Sequence, residues 1–175
     1  SDSVNSNEAR EISQCITARL GAGKTEEAYA LLAPVLAGRT PFRLLGLIGE
    51  AVGARKLAAA NAFLDRIAAG KTEGGWVVIG KALGQQLESD LSGAFDRCRS
   101  YIMAGDVWYC ADILAERVPG PALVTDFGPA SGLLAPWRED DNAWVRRAVG
   151  VAVHFWAKRS RGALELVDQA EALLG

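Results

Sequence analysis

The sequence predicts an all-α protein, an α-solenoid of stacked antiparallel helix pairs forming one domain over residues 1–175. Three observations carry this. Apolar residues recur at three- and four-residue spacing, and no run alternates convincingly as a strand. Ala, Leu, Glu and Arg dominate, with Gly or Pro interrupting them at short intervals. Finally, a pattern returns: GGWVVIGKAL from Gly74, GDVWYCADILAE from Gly105 and DNAWVRRAVGVAV from Asp141 each set a turn residue, a tryptophan and an apolar helix in succession. Trp76, Trp108 and Trp144 stand 32 and 36 residues apart, and a second helical segment follows each. Helix pairs repeating every 30–45 residues or so mark a solenoid, because one pair cannot bury its own apolar face. An ordinary helical bundle with coincidentally spaced tryptophans is the alternative.

In chain order the predicted helices are 6–20, 25–37, 41–53, 56–69, 74–87, 90–104, 106–118, 122–136, 142–158 and 161–174. The first is amphipathic through Ile12, Cys15, Ile16 and Leu20. Gly21 and Gly23 stop it, and Thr25 is the expected N-cap of the second, with Glu26 and Glu27 in its first turn. VVIG at Val77–Gly80 could be a short strand, but its flanks favour a buried helix. The six prolines are expected near element ends, where a missing amide costs least.

GAGKT, ending in Gly23-Lys24-Thr25, looks like a phosphate-binding loop. The first glycine of that motif would stand at position 18, which is Ala18, and a helix rather than a strand precedes it. A nucleotide-binding role is therefore set aside in favour of a helix–turn–helix. Net charge is −2, and residues 88–175 carry 9 basic and 13 acidic side chains, so any basic site is local. Cys15, Cys98 and Cys110 form no CxxC pair, which argues against a disulfide framework or zinc site and for a reducing compartment. With no membrane span and no signal peptide in view, a cytoplasmic protein is expected, without metal or other cofactor.

Two stretches could carry chemistry. In DNAWVRRAVGVAVHFWAKRSR, Arg147, His154, Lys158 and Arg161 fall along one stripe of a helix turning about 100° per residue. Such a stripe suits phosphate contact, or is simply a solvated face. In GDVWYCADILAERV, Trp108 and Asp112 are four apart and share a face amid apolar neighbours. A carboxylate beside an aromatic wall can stabilise a developing sugar cation. It can equally be one half of an ion pair, with Arg147 the candidate partner.

These stretches resemble the bacterial DNA alkylation repair enzymes of the HEAT-like, AlkD type. WYCAD (Trp108–Asp112) and DDNAWVRRA (Asp140–Ala148) carry the resemblance, which runs from about Gly74 to Lys158. It implies stacked HEAT-like helix pairs whose concave face cradles duplex DNA, and cleavage of the glycosidic bond of cationic N3- or N7-alkylpurines. It implies Asp112 as the catalytic carboxylate, Trp108 against the lesion's deoxyribose and Arg147 on a phosphate. Trp144, His154, Lys158 and Arg161 join the expected DNA-binding set. The family continues past the WVRR helix with a further helix pair bearing a second Trp and another Arg. No counterpart of these can be named here, so the chain is expected to be C-terminally short relative to the family. The expected partner is alkylated duplex DNA, bound by a monomer. The alternative function is a non-catalytic HEAT-repeat module that binds protein or nucleic acid in its groove.

Overall fold

A computed structural model describes residues 4–55, 58–160 and 164–174. Among them the protein is all-helical: α1 (Ser6–Gly21), α2 (Thr25–Ala37), α3 (Phe42–Ala54), α4 (Ala60–Ala69), α5 (Glu73–Gln86), α6 (Leu91–Gly105), α7 (Trp108–Ala115), α8 (Pro119–Thr125), α9 (Phe127–Leu134), a 3-10 turn η1 (Ala135–Glu139), α10 (Ala143–Arg159) and α11 (Leu164–Leu174). Two compact units divide it, Ser1–Gln86 and Leu87–Gly175. No helix among the described residues is long and apolar enough to cross a membrane.

In the first unit, α5 is buried nearly all round, from Gly75 through Gly80 and again at Ala82 and Leu83, as expected of a central helix. Its main neighbour is α3, which turns Gly46, Gly49 and Gly53 toward it. A Cβ at Gly49 would collide with the carbonyl of Val78, and one at Gly53 with the carbonyl of Ala82. Here glycine brings two helix backbones together.

Several expectations are corrected in this unit. Lys24, not Thr25, is the N-cap residue of α2, and no side chain caps that helix. Thr25 is its first helical residue. Lys24 and Arg19 both pair with Glu27, at 3.8 and 3.7 Å. The buried face of α1 is Ala9, Ser13, Ile16, Thr17 and Leu20, and Cys15 is exposed. The two hydroxyls can go inside because Ser13 donates to the carbonyl of Ala9 (2.7 Å) and Thr17 to that of Gln14 (3.1 Å). Pro34 lies inside α2 rather than near an end. Proline lacks the N–H that would bond the carbonyl of Ala30, and both residues are exposed, so water can serve that oxygen.

In the second unit, α10 is the hub, packing against α6, α7, α8, η1 and α11. Its buried residues Val145, Ala148, Val149, Ala152, Val153 and Trp156 follow a 3-1-3-1-3 spacing, one apolar stripe along the helix. The opposite side carries Arg146, Arg147, Gly150, His154 and Lys158, all exposed. The helix expected over 106–118 is only Trp108–Ala115, and that over 122–136 is three pieces. Proline explains the two breaks in the latter. Were the helix continuous, the ring of Pro129 would strike the carbonyl of Thr125, and that of Pro136 the carbonyl of Gly132. The chain instead breaks at Asp126, leaving Pro129 in the first turn of α9, and tightens to 3-10 at Ala135. Gly120 in α8 allows close approach to α10, since a Cβ there would sit 2.9 Å from Phe155.

Candidate functional site

The residues that position the site are those that start α7 and α10. α6 ends at Asp106, whose φ of 50° is left-handed. Aspartate tolerates that region better than most residues. This sharp turn starts α7 two residues later, with Trp108 as its first helical residue. The two-turn helix buries Cys110, Ala111, Ile113, Leu114 and Ala115. Trp108 and Asp112, four apart, are left on the outer side. Trp108 is 53% exposed, the most exposed tryptophan among the described residues.

α10 is fixed by a polar network at its start. The side chain of Asn142 accepts from the backbone amides of Trp144 (2.9 Å) and Val145 (3.1 Å), a double N-cap. The amide of Asn142 donates to Asp140 (2.9 Å), and Arg99 of α6 donates to the other Asp140 oxygen (2.6 Å). That bond from Arg99 holds the Asp140 carboxyl below its ordinary value, against the burial that would raise it. Arg146 donates to the carbonyls of Asp140 and Asp141. Trp144 donates its indole N–H to Asp106 (3.1 Å), tying the start of α10 to the α6–α7 turn.

This anchoring delivers Arg147 to Asp112. Its Nε donates to Oδ1 at 2.7 Å and its Nη2 to Oδ2 at 3.0 Å, a forked pair. The Asp112 side chain is 24% exposed and that of Arg147 46%. The carboxylate raises the Arg147 guanidinium above its ordinary value, chiefly through the hydrogen bond. The guanidinium carbon also lies 5.9 Å from the centre of the Trp108 ring, within cation–π range. The result is an exposed indole, a carboxylate and a guanidinium in one cluster.

Of the expected site residues, the structure thus brings Trp108, Asp112 and Arg147 together. Trp144 is half-buried, with its N–H engaged by Asp106. His154 and Lys158 are exposed along α10 beyond Arg147. Arg161 lies outside the described residues. The ion pair weighed from spacing is present, and it does not exhaust either partner. A carboxylate offers about four acceptor sites and a guanidinium five donors. Two bonds are made between them, so three Arg147 N–H groups and further Asp112 lone pairs are left over for other partners. Cys98 and Cys110 offer no alternative nucleophile. Burial pushes both thiols up, that of Cys110 to about 12, so neither is a thiolate at neutral pH.

Sequence reasoning missed Asp106, Arg99 and Arg146. Only the Asp-Asp-Asn run before Trp144, a capping signal, pointed to the start of α10. Nothing in the spacing indicated that Asp106 would reach a tryptophan 38 residues away.

The sequence model of a family described as DNA alkylation repair enzyme matches residues 58–175, about two thirds of the chain. No curated protein and no solved structure matches. The chain belongs to the DNA alkylation repair enzyme family.

Proposed function

We propose that this member of the DNA alkylation repair family binds duplex DNA and hydrolyses the N-glycosidic bond of cationic N3- or N7-alkylpurines. Its helix pairs would stack as HEAT-like repeats, with the exposed sides of α7 and α10 toward the DNA. The observation that carries the reading is the forked Asp112–Arg147 pair beside the exposed Trp108.

The chemistry follows from the substrate's charge. The C1′–N bond breaks and its electron pair neutralises the base, so the leaving group needs little acid assistance. Positive charge develops on the sugar. The Asp112 carboxylate, held by Arg147, is a pre-aimed negative charge for that cation. Water then bonds to C1′ and releases a proton. Trp108 offers a flat apolar wall for the deoxyribose. The three remaining Arg147 donors can take a phosphate without releasing Asp112, so one side chain holds the strand and the carboxylate together.

The test is release of free 7-methylguanine from methylated duplex DNA by the wild type and by Asp112→Asn. Release by the wild type alone supports the mechanism, and equal release by both rejects the role of Asp112. An ion pair on a chain of net charge −2 is also what a non-catalytic groove would carry, binding protein or nucleic acid. Folded wild-type protein that releases no base would move the assignment to that class. Salt-sensitive binding would then separate nucleic acid from protein as its partner.

A further inference from the structure

α10 carries a single glycine, Gly150, at the middle of its 17 residues. Glycine is among the poorest helix formers in an interior position, so its presence needs a reason. At several other glycines the chain supplies one, though not at Gly21, Gly128 and Gly132, where a Cβ would meet nothing within 4 Å. Gly49 and Gly53 lie where a Cβ would strike a carbonyl, and Gly23 has a φ of 73°. Gly150 has neither reason. It is exposed, its φ is not left-handed, and a Cβ would meet nothing within 4 Å. Among the described residues, nothing requires a bare backbone there.

Its neighbours on the helix indicate what does. Gly150 is three residues after Arg147 and four before His154, with Lys158 one turn further. At about 100° per residue these share the exposed side of α10, and all are exposed. The bare turn therefore lies between Arg147 on one side and His154 and Lys158 on the other, next to the guanidinium that holds Asp112.

Resting on the DNA-binding reading above, we propose that Gly150 is a positioning residue, the point where a deoxyribose-phosphate strand held by Arg147 lies directly against the α10 backbone. Any side chain there holds the strand away from the helix and shifts the sugar relative to Asp112. Gly150 thus gives up helix stability for closeness of approach.

The two roles of a glycine separate in one experiment. Gly150→Ala is compared with wild type for thermal unfolding and for binding to a short fluorescent duplex containing 7-methylguanine. Gly132→Ala is the control: Gly132 also has open space at its Cβ and is exposed, but α9 has no charged residue. Gly150→Ala should raise the unfolding midpoint by roughly 2–4 °C and weaken DNA binding roughly fivefold or more. Gly132→Ala should leave affinity unchanged. A Gly150→Ala protein that binds the duplex as wild type does overturns the inference and leaves the DNA reading intact. A lowered unfolding midpoint overturns it too, because the glycine would then be a structural requirement. Wild-type protein that does not bind the duplex overturns both.

Discussion

α5 and α7 begin with the same device, a turn residue followed by tryptophan and an apolar helix, yet they use it in opposite ways. Trp76 is 1% exposed inside the first unit, and Trp108 is 53% exposed in the second. The residue four further on differs accordingly. It is the buried Gly80 in α5 and the partly exposed, Arg-paired Asp112 in α7. The third copy follows α5 at this position, with buried Ala148. A carboxylate at the fourth position is affordable only where solvent or a partner reaches it. The repeat therefore specifies helices, and departures from it specify the site.

Four variants would break or sharpen this contrast. Trp76→Ala should cost about 3–5 kcal/mol of stability, whereas Trp108→Ala should cost under about 1 kcal/mol. Denaturant unfolding of both checks this, and equal losses would abolish the distinction. Asp112→Asn should lower base excision by about 10²–10³-fold, with a stability change within about 1 kcal/mol because the pair is partly exposed. Parallel excision and melting assays separate those effects. Gly53→Ala, at the α3–α5 seam, should destabilise by about 1–3 kcal/mol, opposite in sign to Gly150→Ala on the open side of α10.

The smallest effect concerns pH. Asp140 titrates below its ordinary 3.8 when folded. Its contribution is therefore fully present above the unfolded value and is lost as pH falls through the folded one. Asp140→Asn should cost about 1 kcal/mol at neutral pH, and the gap from wild type should narrow below about pH 4. Urea unfolding at a series of pH values reads this directly.

Most of the helices were legible because their apolar spacing and boundary residues agree. α2 runs over the residues expected, 25–37. The breaks at Asp126 and Ala135 were written in Pro129 and Pro136, but periodicity ran across them, and only the clash with the carbonyl four residues earlier decides. The buried face of α1 was misjudged because Ser13 and Thr17 are polar by type and satisfied by the helix itself. At the site, the i,i+4 relation of Trp108 and Asp112 and the choice of Arg147 as partner could be read from spacing. The link from Asp106 to Trp144 could not, because it depends on one left-handed residue and the distance between two helices.

The proline-broken stretch between Pro119 and Glu139 has a dynamic consequence. Its pieces are 7, 8 and 5 residues long, too short to persist as isolated helices. Their persistence is borrowed from the neighbours they pack on, α10 foremost for α8 and η1, and α8 and η1 themselves for α9. Amide exchange there should be governed by transient lifting of this segment, faster than at the centre of α10. Each lifting uncovers the apolar stripe of the same helix whose other side presents Arg147. A core substitution such as Val149→Ala, which touches no ligand, should therefore reach the Asp112–Arg147 pair through the lifetime of α10's own packing.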